Sequence, residues 1–302
     1  MIRSSIDLGT NTCLLLIAET HPQSGEVLRI IHDEARVVRL GQGVDAQRLL
    51  HPEAKARTLA CLADYSRVVR QNGLDPATTR SVATSQARDA RDGAQFFSEV
   101  ERETGFQFRT LSGDEEAQAT FRGGLLLGMD PTASVVIDIG GGSTEYMALK
   151  GGKSLDLGSV RFTERFLKSD PVQDSEFWAC QEAIDSSLEE MQAWRKSLGS
   201  EASLVGVAGT CTTLAQWHLG LKQFSRDAID GYVLTRGDVH RQVEELKWRT
   251  SSERCALPGV EKGRADVLLA GALILWRSME RLDFPECRIS TRGLRYGVLT
   301  LS

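Results

Sequence analysis

Two carboxylates flank a run of glycines and hydroxyls in Asp138-Ile139-Gly140-Gly141-Gly142-Ser143-Thr144-Glu145. Glycines let a turn bring its backbone N–H groups close to an anion with no Cβ in the way. The hydroxyls of Ser143 and Thr144 add donors. Asp138, with Glu145, could hold a divalent cation at the edge of the turn. The chemistry this suits is the binding of phosphate together with a divalent cation. A tight β-hairpin would also account for three glycines between two strands.

A second stretch repeats the pattern. Ile6-Asp7-Leu8-Gly9-Thr10-Asn11-Thr12 matches Ile137 to Ser143 in kind at nearly every position. Asp7, Gly9, Thr10, Asn11 and Thr12 thus join Gly140, Gly141, Gly142, Ser143 and Thr144 as phosphate-binding candidates. The copies, at Asp7 and Asp138, lie too far apart for solenoid repeats of about 20–50 residues. They suggest two similar domains, each offering one loop to a shared cleft. A third turn, Val207-Ala208-Gly209-Thr210, leads straight into a helix N-terminus, where Gly209 and Thr210 could bind phosphate or nucleotide. Thr210 could equally be the N-cap of that helix.

Two further residues have the chemistry to act on a bound phosphate. In Ser112-Gly113-Asp114-Glu115-Glu116, Ser112 and Glu115 have capping-box spacing. Asp114 and Glu116 suit a first helical turn on dipole grounds alone. Glu116 is nevertheless the carboxylate that the cap does not use, and so a candidate to orient or deprotonate a water. Neighbouring carboxylates could raise its pKa toward that task. Arg88, in Ala83-Thr84-Ser85-Gln86-Ala87-Arg88, could clamp phosphate oxygens bidentately. Its alternative is a solvated arginine in a helix's first turn, where the dipole mildly disfavours a cation. For Arg161, in Gly158-Ser159-Val160-Arg161, a phosphate contact and an exposed salt bridge both remain open.

The elements that must position these residues follow from pattern. Apolar, β-branched runs predict a hairpin at Arg3–Leu8 and Thr12–Glu19, with a third strand over Val27–Leu40. Pro52–Asn72 reads as a helix with Leu59, Leu62, Ala63, Ser66 and Val69 on one stripe. Strand Arg80–Thr84, a helix from about Asp92 to Thr104, strand Phe106–Leu111 and a helix from Gly113 to about Leu127 follow. The plan then recurs. A hairpin spans Val135 to Leu149, with a strand near Ser154–Leu157 and a long helix over Asp174–Ser197. Strand Leu204–Ala208 and helix Cys211–Leu219 come next, then helices near Asp238–Arg249 and Ala265–Leu282. Strand Arg288–Ser290 and a terminal helix near Leu294–Leu301 close the chain. A meander followed by alternating helices and strands, done twice, fits two α/β domains with mixed sheets.

Composition narrows the function classes. The 302 residues suffice for two domains. A net charge of −5 argues against a general nucleic-acid binder. The chain enters a strand almost at once, leaving no room for a signal peptide. Its most apolar helix candidate, Val267–Trp276, is far short of a membrane span. The six cysteines form no Cys-x-x-Cys and do not cluster with histidines, which speaks against zinc. Reduced thiols in a cytoplasmic protein are the expectation. The tryptophans are expected in the core or an interface. A homodimer is the partner expectation, two-fold dimers being the commonest assembly.

The motifs together resemble a known family. Asp7–Thr12 and Asp138–Glu145 are similar to the paired phosphate loops of the actin, Hsp70 and sugar-kinase superfamily. Ala83-Thr84-Ser85-x-x-Arg88, Ser112-Gly113-x-Glu115-Glu116-Ala117, Gly158-Ser159-Val160-Arg161-x-Thr163-Glu164 and Gly293-Leu294-Arg295-x-Gly297 resemble the exopolyphosphatase/guanosine pentaphosphate phosphohydrolase family. The motifs run along essentially the whole chain. The resemblance implies two ribonuclease-H-like (actin-like ATPase) domains with an interdomain cleft: residues 1–123 plus about 291–302, and residues 124–290. It implies Mg²⁺-assisted release of terminal phosphate from polyphosphate, or of the 5′-γ-phosphate from guanosine pentaphosphate. By motif position it makes Glu116 the catalytic residue, Arg88 a phosphate arginine, and the stretch from Asp138 to Glu145 the second phosphate loop. The chain resembles the short, two-domain form, so processive handling of long chains is not carried over. Tyr296 stands where the family commonly has Glu, and the role of that acid is not carried over either. A sensor of polyphosphate or alarmone that has lost turnover is the alternative. A sugar or acetate kinase is a third class, disfavoured by the Ser-Gly-x-Glu-Glu motif and the lack of an evident sugar-binding insertion.

Overall fold

The same strand order is built twice. In the computed structural model, which describes residues 1–199 and 201–300, the first sheet holds β1 (Ile2–Leu8), β2 (Thr12–Thr20), β3 (Val27–Val37), β4 (Arg80–Ala83) and β5 (Phe108–Thr110), in the order β3-β2-β1-β4-β5. β1 pairs antiparallel with β2 and parallel with β4. The second sheet holds β6 (Ser134–Ile139), β7 (Thr144–Ala148), β8 (Gly151–Leu155), β9 (Ser203–Val207), β10 (Val233–Thr235) and β11 (Glu286–Ile289). Its order is β10-β11-β9-β6-β7-β8, so β6 stands where β1 stands, between an antiparallel hairpin partner and a parallel neighbour. The edge strand β10 is the addition, antiparallel to β11. Two mixed α/β sheets are the architecture the sequence predicts.

The chain forms two units, Met1–Gly123 with Gly293–Ser302, and Gly124–Arg292. The return to the first unit thus falls at Gly293. Alternation along the strands decides what each face of the first sheet meets. Ile6, Leu8, Leu15 and Ile17 pack with Leu62, Tyr65 and Val69 of the helix Pro52–Gln71 and with Phe96 and Val100 of the helix Gly93–Thr104. On the other face Leu16 and Ala18 pack against Tyr296 and Leu299. In the second unit Val135, Ile137 and Ile139 share a core with the apolar helix Leu268–Arg281.

Some elements differ from expectation. The helix expected over Asp174–Ser197 is two, Asp174–Glu189 and Gln192–Ser197. The chain bends where Met191 enters the core, and Arg195 then lies over the Phe284 ring while donating to the Leu282 carbonyl. Short helices at Ser85–Asp89 and Ser159–Phe166, and strand β10, were too brief for periodicity to mark. The terminal helix is a single turn, Leu294–Gly297, followed by a 3-10 turn over Val298–Thr300; Leu301, its expected end, lies outside the described residues. No helix among the described residues is long and apolar enough to cross a membrane.

Candidate active site

Both glycine turns are built alike. Gly9 donates its N–H to Thr12 O at 2.9 Å, and Gly140 to Ser143 O at 3.0 Å. Each turn is then held through its carbonyls by the segment after its third strand. Thr10 O accepts from Gly41 N at 2.9 Å, and Asn11 O accepts from Val38 N at 2.9 Å and Arg39 N at 3.0 Å. In the second unit Gly140 O accepts from Ser159 N at 2.9 Å, and Gly141 O from Val160 N at 2.9 Å and Arg161 N at 3.0 Å. Arg161 Nε completes the set at 2.7 Å from Gly142 O. A planar trans peptide sets its N–H opposite its C=O. Pinning three carbonyls therefore turns the N–H groups of Gly141, Gly142 and Ser143 the other way. None of Gly140, Gly141 and Gly142 has a positive φ, so the primed turn of a tight hairpin is not what requires glycine here.

Of the two readings for Arg161, the salt bridge is present, from Nη2 to the exposed Asp156, while the arginine itself is buried. It is 6% exposed, pins the turn, and lies 3.8 Å from Asp156. Gly158 is a residue that sequence reasoning did not single out for its geometry. A Cβ there would overlap the backbone of Gly141 and Gly142.

The parallel strand beside each turn adds a second support. After β4, Gln86 donates to Leu8 O at 2.6 Å, while the Thr10 hydroxyl meets Ser85 Oγ at 3.0 Å and Gln86 Oε1 at 3.3 Å. After β9, Thr210 reaches Ile139 O at 3.5 Å. The helix here is Ala208–His218, and its N-cap is Val207. Thr210 therefore sits inside the first turn and is not the cap, because the helix starts earlier than the glycine suggested. Ala208 begins it with a φ of 62°. Arg264 lies so close that a Cβ on Gly209 would overlap its guanidinium. Burial lowers the Arg264 pKa, with Glu261 opposing. A half-buried guanidinium, 3.5 Å from Glu261, against the positive end of a helix dipole suits a place where an anion is to sit. No spacing signal in the sequence ties Arg264 to Gly209.

Glu116 and Arg88 come together in the first unit. Ser112 N donates to Glu115 Oε2 at 2.9 Å and Glu115 N to Ser112 Oγ at 3.2 Å, completing the capping box of the helix Gly113–Gly124. The Ser112 N–H first, and then its hydroxyl, lower the Glu115 pKa. Glu116, on the same first turn, is 7% exposed and accepts from Arg88 Nη1 at 3.0 Å. Arg88 Nη1 also donates to Leu111 O at 2.7 Å. The charge set against Glu116 is thus a guanidinium, where the sequence had suggested carboxylates. Both contacts run from Nη1, so Nε and Nη2 make no hydrogen bond among the described residues. Arg88 stands in the last turn of Ser85–Asp89, where the dipole favours a cation.

Asp138 and Glu145 are register partners across the β6–β7 ladder, which sets their side chains side by side on one face. Glu145 is buried and accepts from Ser154 Oγ at 2.7 Å. Among the described residues no group of three or more His, Cys, Asp or Glu side chains gathers as a metal site. A pair of carboxylates fits Mg²⁺ all the same, which commonly takes one or two carboxylates and completes its shell with water and substrate phosphates.

The first unit therefore assembles Asp7, Gly9, Thr10, Asn11 and Thr12 at its turn, and brings Glu116 to Arg88. The second assembles Asp138, Gly140, Gly141, Gly142, Ser143 and Glu145, with Gly209 and Thr210 at the end of the neighbouring strand; Thr144 is fully buried and its hydroxyl donates to Leu157 O, so it is not the phosphate donor the sequence suggested.

Comparison with known proteins bears on these groups. The model of the Ppx/GppA phosphatase family matches residues 16–302. Exopolyphosphatase 2 of Mycobacterium tuberculosis is 36% identical over 98% of this chain and 96% of its own length. A bifunctional 3-dehydroquinate synthase/phosphatase of Fusobacterium nucleatum is 29% identical over 94% of this chain and 43% of its own. Among solved structures, an exopolyphosphatase-like protein superposes with a TM-score of 0.90 at 28% identity, covering 99% of this chain and 98% of that one. A Ppx/GppA family member from Aquifex aeolicus gives 0.77 at 28% identity, covering 99% and 96%.

Proposed function

The chain belongs to the Ppx/GppA phosphatase family, and on that premise we propose that it hydrolyses a terminal phosphoanhydride bond, with inorganic polyphosphate as substrate and Mg²⁺ as cofactor. The observation that carries this reading is the Glu116–Arg88 pair. Nη1 of Arg88, spent on Leu111 O and Glu116 Oε2, fixes the guanidinium plane, and Nε with Nη2 is left to a phosphate oxygen. A phosphoryl group held there has a carboxylate beside it to orient the attacking water and take its proton. The nearly full-length relatives named exopolyphosphatases favour polyphosphate. The 5′-γ-phosphate of guanosine pentaphosphate ends in the same bond and is the second substrate to compare.

The roles divide by chemistry. Outward N–H groups of the two glycine turns donate hydrogen bonds to the oxygens of terminal phosphates. Arg264 and the N-terminus of Ala208–His218 add positive potential in the second unit. Asp138 and Glu145 would hold Mg²⁺, which when bound neutralises phosphate charge and polarises the bond to be broken. Asp7 is an acceptor only, so its part in an anion site is indirect. Phosphoryl transfer asks mostly for positioning and electrostatics, which is what these parts supply.

The test is Mg²⁺-dependent phosphate release from long polyphosphate, short polyphosphate and guanosine pentaphosphate. General-base assistance is worth ~10²–10⁴-fold. Glu116→Gln should lose activity of that order while still binding polyphosphate. Near-normal turnover in that variant removes Glu116 from the role. Tight binding by the unaltered protein with no release of phosphate favours the sensor over the hydrolase.

A further inference from the structure

The Gly-Leu-Arg-x-Gly segment at 293–297 has no part in the chemistry above, yet its packing is among the tightest in the first unit. Gly293 has a φ of 150°, which favours glycine, and a Cβ on Gly297 would overlap the Ala119 carbonyl. Gly123 is equally constrained by the Gly293 carbonyl and Gly297. Ala119 and Gly123 belong to the helix that carries Glu116. The two glycines of the segment thus press Leu294–Gly297 directly onto that helix.

The arginine between them faces the other way, toward the sheet. Its main-chain carbonyl accepts from Ser5 Oγ at 2.6 Å. Its guanidinium forms a two-pronged pair with Asp33, at 2.9 Å from Nε and 3.0 Å from Nη2. Tyr296 donates to the same carboxylate at 3.2 Å. Register places these partners. Ser5 is opposite Leu16 and Leu16 opposite Asp33, one row across β1, β2 and β3; Asp7 is opposite Leu14 in the next row on the same face. Asp7 therefore stands on the face that Arg295 covers, one row along from Ser5. Burial would lower the Arg295 pKa, but Asp33, Tyr296 and Asp7 together hold it above the ordinary arginine value.

We propose that Arg295 is a positioning residue: locked by Asp33 and Tyr296, its guanidinium fixes the Asp7 carboxylate at the foot of the first glycine turn. The tyrosine at 296 fits this arrangement, since its hydroxyl can donate to Asp33 where an acid side chain would repel it. The inference rests on the reading of that turn as part of a phosphate-handling site.

A double-mutant cycle tests it. Phosphate release from polyphosphate is measured for Arg295→Met, Asp7→Asn and the double variant, with thermal unfolding of each. By analogy with supporting residues at metal sites, Arg295→Met alone should lower kcat by roughly 10–100-fold with a smaller change in KM. In the Asp7→Asn background the same substitution should change kcat by less than about twofold if all its effect runs through Asp7. Losses that multiply in the double variant overturn the proposal. Arg295→Lys, which keeps the charge without the fork, should recover part of the loss. If Arg295→Met does not fold, Asp33→Asn replaces it in the cycle with the same expected coupling. If the unaltered protein releases no phosphate, the hydrolase reading fails by itself, and the cycle is read on polyphosphate binding instead.

Discussion

The two glycine turns share a backbone plan and differ in what faces the aspartate. In the first, Asp7 is opposite Leu14; in the second, Asp138 is opposite Glu145. The first aspartate lies on the face covered by Arg295, while the second has another carboxylate beside it. One scaffold thus holds a carboxylate whose neighbour is a cation and a carboxylate pair suited to receive one. The difference teaches that a repeat in sequence does not imply a repeat in role. The peptide geometry that turns N–H groups outward is common to both, and only the second sets two carboxylates side by side.

Making the second turn resemble the first is the sharpest way to break this division. Glu145→Leu places the residue of the first copy opposite Asp138. The Mg²⁺ needed for half-maximal activity should rise by more than the roughly 10–100-fold that loss of a supporting residue costs. Calorimetric titration of Mg²⁺ into the substrate-free protein should show the same weakening. Unchanged Mg²⁺ dependence on both measurements would leave Asp138 alone, or other groups, as the ligand set.

A smaller effect separates the supports behind the turns. A Cβ at Gly158 would run into the backbone of Gly141 and Gly142, whereas at Gly41 it would meet mainly the Thr10 side chain. Overpacking of this kind costs about 1–3 kcal/mol. Gly158→Ala should fall at the upper end and Gly41→Ala at the lower, read from denaturant unfolding. The order should hold because a backbone turn pinned at three carbonyls cannot yield, while a threonine can rotate at the loss of its bond to Ser85. Equal costs would mean that Thr10 is held as rigidly as the glycine turn.

What was legible in the sequence follows from the range of the interactions. The strand–Asp–glycine pattern marked both turns because the hydrogen bonds that close them span a few residues. The capping box was legible for the same reason, and it isolated Glu116 by elimination. The partners from far along the chain were not. Nothing in the spacing of Arg295 and Asp33, or of Arg264 and Gly209, announces that they meet. Arg161 is the instructive case: its type allowed a phosphate contact, but burial and the Gly142 carbonyl spend its Nε on holding the turn. Short helices escaped notice because five residues at Ser85–Asp89 and eight at Ser159–Phe166 carry little period. Thr210 misled as a cap because Ala208, at positive φ, starts the helix two residues before the hydroxyl.

That last contrast yields the smallest effect, at the two helix starts. The helix of Glu116 is capped by its own residues, Ser112 and Glu115, whereas Ala208–His218 has no side-chain cap and meets Arg264 instead. Ser112→Ala should therefore cost about 1 kcal/mol at neutral pH, the usual cost of losing a serine cap. Part of that cost depends on pH. The Glu115 pKa is lowered in the folded protein, first by the Ser112 N–H and then by its hydroxyl. Its contribution is present above the unfolded glutamate value and is lost as pH falls through the folded one. The stability difference between the unaltered protein and Ser112→Ala should accordingly narrow on acidification, as followed by urea unfolding at a series of pH values. Thr210→Val should cost less at every pH, because its hydroxyl reaches Ile139 O only at 3.5 Å and satisfies no helix N–H. If Thr210→Val cost as much as Ser112→Ala, the threonine would be acting as a cap. The second helix start would then be capped by the chain's own residues, with one N–H group fewer for an anion, and the contrast between the two units would narrow at this position.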